Sequence, residues 1–204
     1  MKVKHIAIAF LFVTCNSVES KKQVVQSKST VEEKTTQVAP KYLADAFDFP
    51  VGKPDAKQYY NAQPFGENNH LGDDWNGTGG GNTDLGDPIY AIANGYVKFA
   101  EDYGADWGNI VRIVHFLPDG EVYESFYAHC DTILVEAGNW VKRGEQIGTI
   151  GNADGIYYAH LHFEMRADTS LPVGGGYSAN TTGYLDPTEF IEQYRNLATM
   201  NDGR

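Results

Sequence analysis

Histidine and aspartate recur in this chain at spacings able to hold a metal ion. His70 and Asp74 lie in the run His70-Leu71-Gly72-Asp73-Asp74, His129 ends Tyr127-Ala128-His129, and His160 and His162 flank Leu161 in His160-Leu161-His162-Phe163-Glu164. Neutral imidazole and carboxylate suit Zn²⁺, and a catalytic zinc takes three protein ligands and leaves one position for water. Five candidate groups exceed that need, so the surplus histidines are available for proton transfer, their unperturbed pKa lying near neutrality. Taken singly, His-x-His and His-x-x-x-Asp are weak signals. Asp73 competes with Asp74 as the carboxylate, and Cys130, directly after His129, reads either as a zinc thiolate or as a buried thiol.

The elements that must position these groups read as short strands. Residues 89–93 and 96–100 flank Asn94-Gly95, a pair that signals a tight hairpin. Residues 109–115, 122–128, 146–150 and 160–166 follow, separated by Gly, Asp and Pro. This succession predicts an all-β antiparallel domain, a sheet or sandwich with long loops. On a strand, side chains at i and i+2 share a face, which sets His160 and His162 about 6–7 Å apart. Gly72 is expected to turn the chain between His70 and Asp74, and the leucine and phenylalanine around the histidines to wall a cleft. His115 reads as a sheet residue without a catalytic role. One short C-terminal helix is expected, capped by Asp186, with Pro187 at its first position and Phe190, Ile191 and Tyr194 as its apolar stripe. Two glycine-rich stretches, 75–84 and 168–183, read as mobile surface loops that could border the cleft and set substrate preference. Neither has the strand-loop-helix context or the lysine of a phosphate cradle.

Lys2 and Lys4 precede the apolar run 6–13, which is too short to span a bilayer and fits a secretory signal peptide over residues 1–19. Cys15, after that run, resembles the lipidated cysteine of bacterial lipoproteins, although Leu11 and Thr14 depart from that pattern. The expected location is the cell envelope, with a possible membrane anchor at Cys15. Residues 20–41 are polar and read as a flexible tether, leaving 42–200 as the folded domain. The net charge of −11, without basic clusters, excludes nucleic acid as a partner.

Together the motifs resemble the lysostaphin/LytM-type zinc endopeptidases, which cut peptide cross-links in bacterial peptidoglycan. The resemblance rests on His70-x-Gly72-x-Asp74, Tyr127-Ala128-His129 and His160-Leu161-His162-Phe163-Glu164. It extends to Gly86-Asp87-Pro88-Ile89-Tyr90-Ala91, Gly95-Tyr96-Val97, Gly108-Asn109-Ile110-Val111, the turn from Val141 to Gly148, and Gly151-Asn152. It implies that His70, Asp74 and His162 hold Zn²⁺. It also implies that His129 and His160 are the catalytic non-ligand histidines, which orient or deprotonate water and stabilise the tetrahedral intermediate. On this pattern Glu164 is structural or a support to a ligand, and Asn109 and Tyr127 either line the cleft or pack. A second reading is a non-catalytic module on the same fold that activates other cell-wall hydrolases. Residues 42–64 could also lie over the cleft and inhibit.

Overall fold

A computed structural model describes residues 38–196 of the chain. The expected signal peptide, Cys15 and most of the 20–41 tether lie outside the described residues. The strands are β1 (Tyr59–Gln63), β2 (Asp73–Gly77), β3 (Pro88–Tyr90), β4 (Gly95–Asp102), β5 (Asn109–Phe116), β6 (Val122–Ile133), β7 (Trp140–Val141), β8 (Gln146–Ile150), β9 (Leu161–Arg166) and β10 (Tyr184–Leu185). Their order across the sheet is β1-β2-β9-β6-β5-β4-β7, with β10 on β9 and β8 linking β6 to β3. Every pairing is antiparallel, as expected. The C-terminal helix, α1 (Pro187–Tyr194), starts where Asp186 accepts a hydrogen bond from the Glu189 amide at 3.0 Å.

Period-2 alternation divides the central strands between two faces. Leu161, Phe163 and Met165 of β9, Val111 and Ile113 of β5, and Tyr127 of β6 enter the main core. Phe190 and Ile191 of α1 join them. Ile110, Phe126 and Ala128 face the other side and form a smaller cluster with Val173. That second face also carries His162, Glu164 and Arg166, all buried. The segment 168–177 covers it. The central strands β5, β6 and β9 are therefore buried on both faces along most of their length.

Of residues 42–64, Gln63 lines the cleft, whereas the stretch 42–58 does not. Ala44, Phe47, Phe49 and Val51 are 0–8% exposed and belong to the main core. Phe47 packs edge-on against Phe190, with ring centroids 5.0 Å apart.

The expected Asn94-Gly95 hairpin does not form. β3 pairs with β8, and β4 with β5 and β7. Asn94 is a brace instead: its amide donates to the Leu43 carbonyl at 2.9 Å, and its side-chain oxygen accepts from the Arg143 amide at 3.0 Å. Gly95 is required by crowding, because a Cβ there would sit 2.5 Å from Ile113 Cγ2 and 2.8 Å from His115 Nδ1. Gly72 is explained the same way. The chain bends at Gly72 as expected, and a Cβ there would meet the Phe163 carbonyl oxygen at 2.5 Å, so this glycine also lets the chain beside β2 lie against β9.

Candidate metal centre and its cleft

β2 and β9 run side by side with Asp74 directly opposite His162. His70 stands before β2, held by a one-residue bridge to Tyr177. These placements bring three donor atoms together. His162 Nδ1 is 3.0 Å from Asp74 Oδ1 and 3.0 Å from His70 Nε2, and His70 Nε2 is 3.3 Å from Asp74 Oδ1. Among the described residues this is the one His/Cys/Asp/Glu group placed to share an ion.

The far side of each imidazole decides what the near side can offer. His70 Nδ1 lies 3.1 Å from the Gln63 carbonyl oxygen, which can only accept, so that nitrogen carries the hydrogen. His162 Nε2 lies 3.0 Å from Glu164 Oε1, which fixes the same assignment there. In the neutral rings both remaining lone pairs then point at each other and at the Asp74 carboxylate. Three electron-rich atoms facing one another need a cation among them. A proton can also fill that place. Burial opposes charge on both His162 and Asp74, but their mutual hydrogen bond, with Glu164 and His70 adding to it, outweighs burial. The His162 imidazole is raised to about 9 and the Asp74 carboxyl is held well below the usual carboxylate range.

The donor set fits zinc. Zinc bonds to imidazole nitrogen and carboxylate oxygen are about 2.0–2.2 Å, so tetrahedral angles separate the ligand atoms by about 3.3–3.6 Å. The observed edges of 3.0–3.3 Å need only a slight opening. A carbonyl behind one imidazole and a carboxylate behind the other are the outer partners that metal-bound histidines usually have.

His129 and His160 stand beside this triad. β6 pairs with β9 as far as Ala128, opposite His162, and with β8 from Cys130 onward. His129 occupies the change-over, where a bulge against β5 puts it at φ 58°. Its ring centroid is 4.7 Å from that of His160, and its Nδ1 is buried without a hydrogen-bond partner. Burial, reinforced by His160 and His162, pushes its pKa down to about 3. His160 lies just before β9, bridged to Gly151. Its Nδ1 is 2.8 Å from the Tyr158 carbonyl oxygen and its Nε2 3.9 Å from Asp74 Oδ1.

The other candidates separate clearly. Asp73 is committed elsewhere, accepting from the Phe65 amide at 3.0 Å and the Thr188 hydroxyl at 2.6 Å. Cys130 is buried, its thiol pushed up to about 12 by desolvation, and it is not among the clustered donors. Asn109 bonds the Cys130 and Asp131 carbonyls, and Tyr127 accepts from the Ile92 amide in the core, so neither lines the cleft.

A cleft of about 640 Å³ opens over Asp74, His129, His160 and His162. Its walls are not the expected Leu161 and Phe163, which are fully buried in the core. They are aromatic: Trp107, stacked at 16° on His129, Tyr157 and Tyr177, with Gly175 and Gly176 completing the rim. Gly175, Gly176 and Tyr177 belong to the 168–183 loop expected to border the cleft, whereas no motif marks Trp107 or Tyr157, and the 75–84 stretch does not line it.

An antiparallel β-domain with a His/Asp/His donor set at the floor of a cleft defines a class, and comparison with known proteins gives the family. This chain belongs to peptidase family M23, whose profile matches residues 74–173. It is 41% identical over 81 residues to lipoprotein NlpD of Yersinia enterocolitica, covering 40% of this chain and 78% of that protein. The peptidoglycan DD-endopeptidase ShyB of Vibrio cholerae is 35% identical over 108 residues, covering 48% of this chain. The murein hydrolase activator NlpD of Escherichia coli is 40% identical over 81 residues, covering 40%. The chain spans only 24% of that endopeptidase and 20% of that activator. In fold it is similar to lysostaphin in solution, with a TM-score of 0.52 and 22% identity over 73% of this chain and 55% of that one.

Proposed function

We propose that this chain is a zinc-dependent endopeptidase that hydrolyses peptide cross-links of bacterial peptidoglycan. The observation that carries the reading is the convergence of the His70, Asp74 and His162 donor atoms, each imidazole fixed from behind in the tautomer that turns a lone pair inward. These three residues would hold the ion. Bound there, zinc supplies Lewis-acid polarisation of a carbonyl and acidifies water.

The remaining work falls to this chain's own side chains. His129 is held neutral by burial and has an uncommitted buried nitrogen, so it can accept a hydrogen bond from attacking water and orient it. His160, its Nδ1 facing the Tyr158 carbonyl, has Nε2 free to hydrogen-bond a reacting group or to return a proton to the leaving amine. Trp107, Tyr157 and Tyr177 offer flat apolar faces to an extended peptide and limit the water that reaches it. We further propose that the chain is exported to the cell envelope and anchored there through lipidated Cys15.

Likeness to a murein hydrolase activator favours a second reading, a non-catalytic module that switches on other wall hydrolases. Digestion of purified peptidoglycan, with zinc quantified, separates the two. The enzyme releases new amine termini and carries about one zinc per chain, as the three-ligand set requires, and His70→Ala, Asp74→Ala and His162→Ala each abolish both. Zinc uptake without cleavage supports the activator. Full activity in those variants would refute the assignment of ligands.

A further inference from the structure

The segment 168–177 belongs to the 168–183 stretch expected to be a mobile loop that could border the cleft, and the structure shows it tethered at its carbonyl oxygens. Lys98 Nζ donates to Thr169 O. Arg112 Nη2 donates to Leu171 O at 2.7 Å, Arg166 Nη1 to Pro172 O at 2.9 Å, Arg166 Nη2 to Val173 O at 2.9 Å, and Trp107 Nε1 to Gly174 O at 3.1 Å. Beyond these tethers the segment reaches the metal site. Gly176 O accepts from the Leu71 amide at 2.9 Å, and the Ser178 amide donates to Asn69 O at 2.8 Å, so the segment pairs with the chain on both sides of His70. A Cβ on Gly176 would stand 3.8 Å from His162 Cε1 and 3.0 Å from the Trp107 ring.

Arg166 is the member of this set that faces two ways. It is fully buried on β9, with its guanidinium 4.4 Å from the centre of the Phe126 ring. While two of its nitrogens hold Pro172 and Val173, Nε donates to Glu164 Oε2 at 2.7 Å. The other oxygen of that carboxylate, Oε1, holds His162 Nε2 at 3.0 Å. Glu164 is thus clamped between a guanidinium and a ligand imidazole. A planar fork makes these bonds at fixed angles, which a lysine ammonium cannot reproduce.

We propose that Arg166 is a positioning residue that joins the cleft wall to the metal site: through Glu164 it sets the His162 ring, and through the Pro172 and Val173 carbonyls it seats the 168–177 segment. The inference rests on the metal-site reading above. Coupling of this kind is reciprocal. Binding of the ion tightens the seating of the segment at Pro172 and Val173, and freeing Arg166 from those two carbonyls weakens the ion.

The test measures zinc affinity by chelator competition, and amide hydrogen exchange at Leu71 and Ser178 with and without zinc, on the full chain. In the wild type, zinc slows exchange at both amides. Arg166→Lys is expected to weaken zinc binding about tenfold, the lower end of losses seen when partners behind a ligand are altered, and to remove the zinc-dependent protection at Ser178. Lys98→Met, which cuts a tether that does not touch Glu164, is expected to leave zinc affinity within about twofold on the same scale. Should Arg166→Lys fail to fold, the Glu164→Gln/Arg166→Met double variant removes both buried charges and is expected to show the same two losses. Unchanged zinc affinity in whichever Arg166 variant folds, or Ser178 protection that ignores zinc in the wild type, overturns the proposal. A wild-type chain that takes up no zinc fails the metal-site reading and this inference with it. Normal zinc uptake with an unaffected Arg166 variant fails this inference alone.

Discussion

At His129, backbone strain and hydrogen-bond chemistry meet in one residue. Holding a non-glycine residue at φ 58° costs on the order of 1–3 kcal/mol, a cost that persists where the surrounding structure enforces it. Here β6 enforces it by trading β9 for β8 at that position. The result is an imidazole kept neutral by burial, with a nitrogen turned to no partner, beside the three clustered donors. His129→Ala should therefore leave zinc content unchanged while lowering kcat by about 10²-fold. Zinc analysis beside turnover on purified peptidoglycan decides, and loss of zinc with activity would make His129 a ligand. The histidines were legible as candidates from their types and spacings, but their division into ligands and non-ligands came only from the family resemblance. The bulge that aims His129 was not legible, since the extra residue follows from how three strands share β6. Trp107 and Tyr157 were invisible for a related reason: isolated aromatic residues in turns become a cleft only when distant loops meet.

Strands and their junctions carry a different set of consequences. The antiparallel pattern was readable from alternation and turn residues, yet Asn94-Gly95 misled, because the same dipeptide suits a hairpin and a crowded brace. Only the packing of β4 on β5 distinguishes them. Gly95→Ala should drive a methyl into Ile113 and the Val114 carbonyl and cost roughly 1–3 kcal/mol, readable as a lower urea midpoint. Next to it, His115 is fully buried, its Nδ1 2.9 Å from the Asn94 carbonyl oxygen and its Nε2 2.7 Å from Ser125 Oγ. Burial, opposed only by the Asn94 bond, lowers its pKa from 6.5 to about 4. The folded chain thus binds fewer protons than the unfolded chain between these values, so stability is fully present above about pH 6.5 and is lost as pH falls toward 4. The loss attributable to this group is roughly 3 kcal/mol. Denaturant melts from pH 7 to 4 should show a shallower decline for His115→Gln than for the wild type, and parallel declines would remove His115 from the account.

Across the whole domain, the N-terminal stretch is part of the core rather than a cover for the cleft. Phe47, Phe49 and Val51 together contribute roughly 5–8 kcal/mol by burial, comparable with the total stability of a domain. A chain beginning at residue 59 should melt at least about 10 °C lower or lose its cooperative transition, without any gain in peptidoglycan hydrolysis; a stable, more active fragment would restore the inhibitory reading. Composition could not show this, because residues 42–58 supply scattered apolar side chains without a periodic pattern. The same scale explains why 168–183 looked like a mobile loop: its anchors Lys98, Trp107, Arg112 and Arg166 come from three strands and a turn, none adjacent to it in sequence except Arg166.

The division of β9 into an aliphatic side and a charged side also bears on misfolding. A one-residue slip against β2 or β6 would exchange the two sets, driving His162, Glu164 and Arg166 into the main core and turning Leu161, Phe163 and Met165 toward Glu124 and Arg112. A misregistered β2–β9 pair could not place His162 opposite Asp74. Were the site to take up an ion as proposed, uptake by a refolding chain would report the registry of β2 against β9.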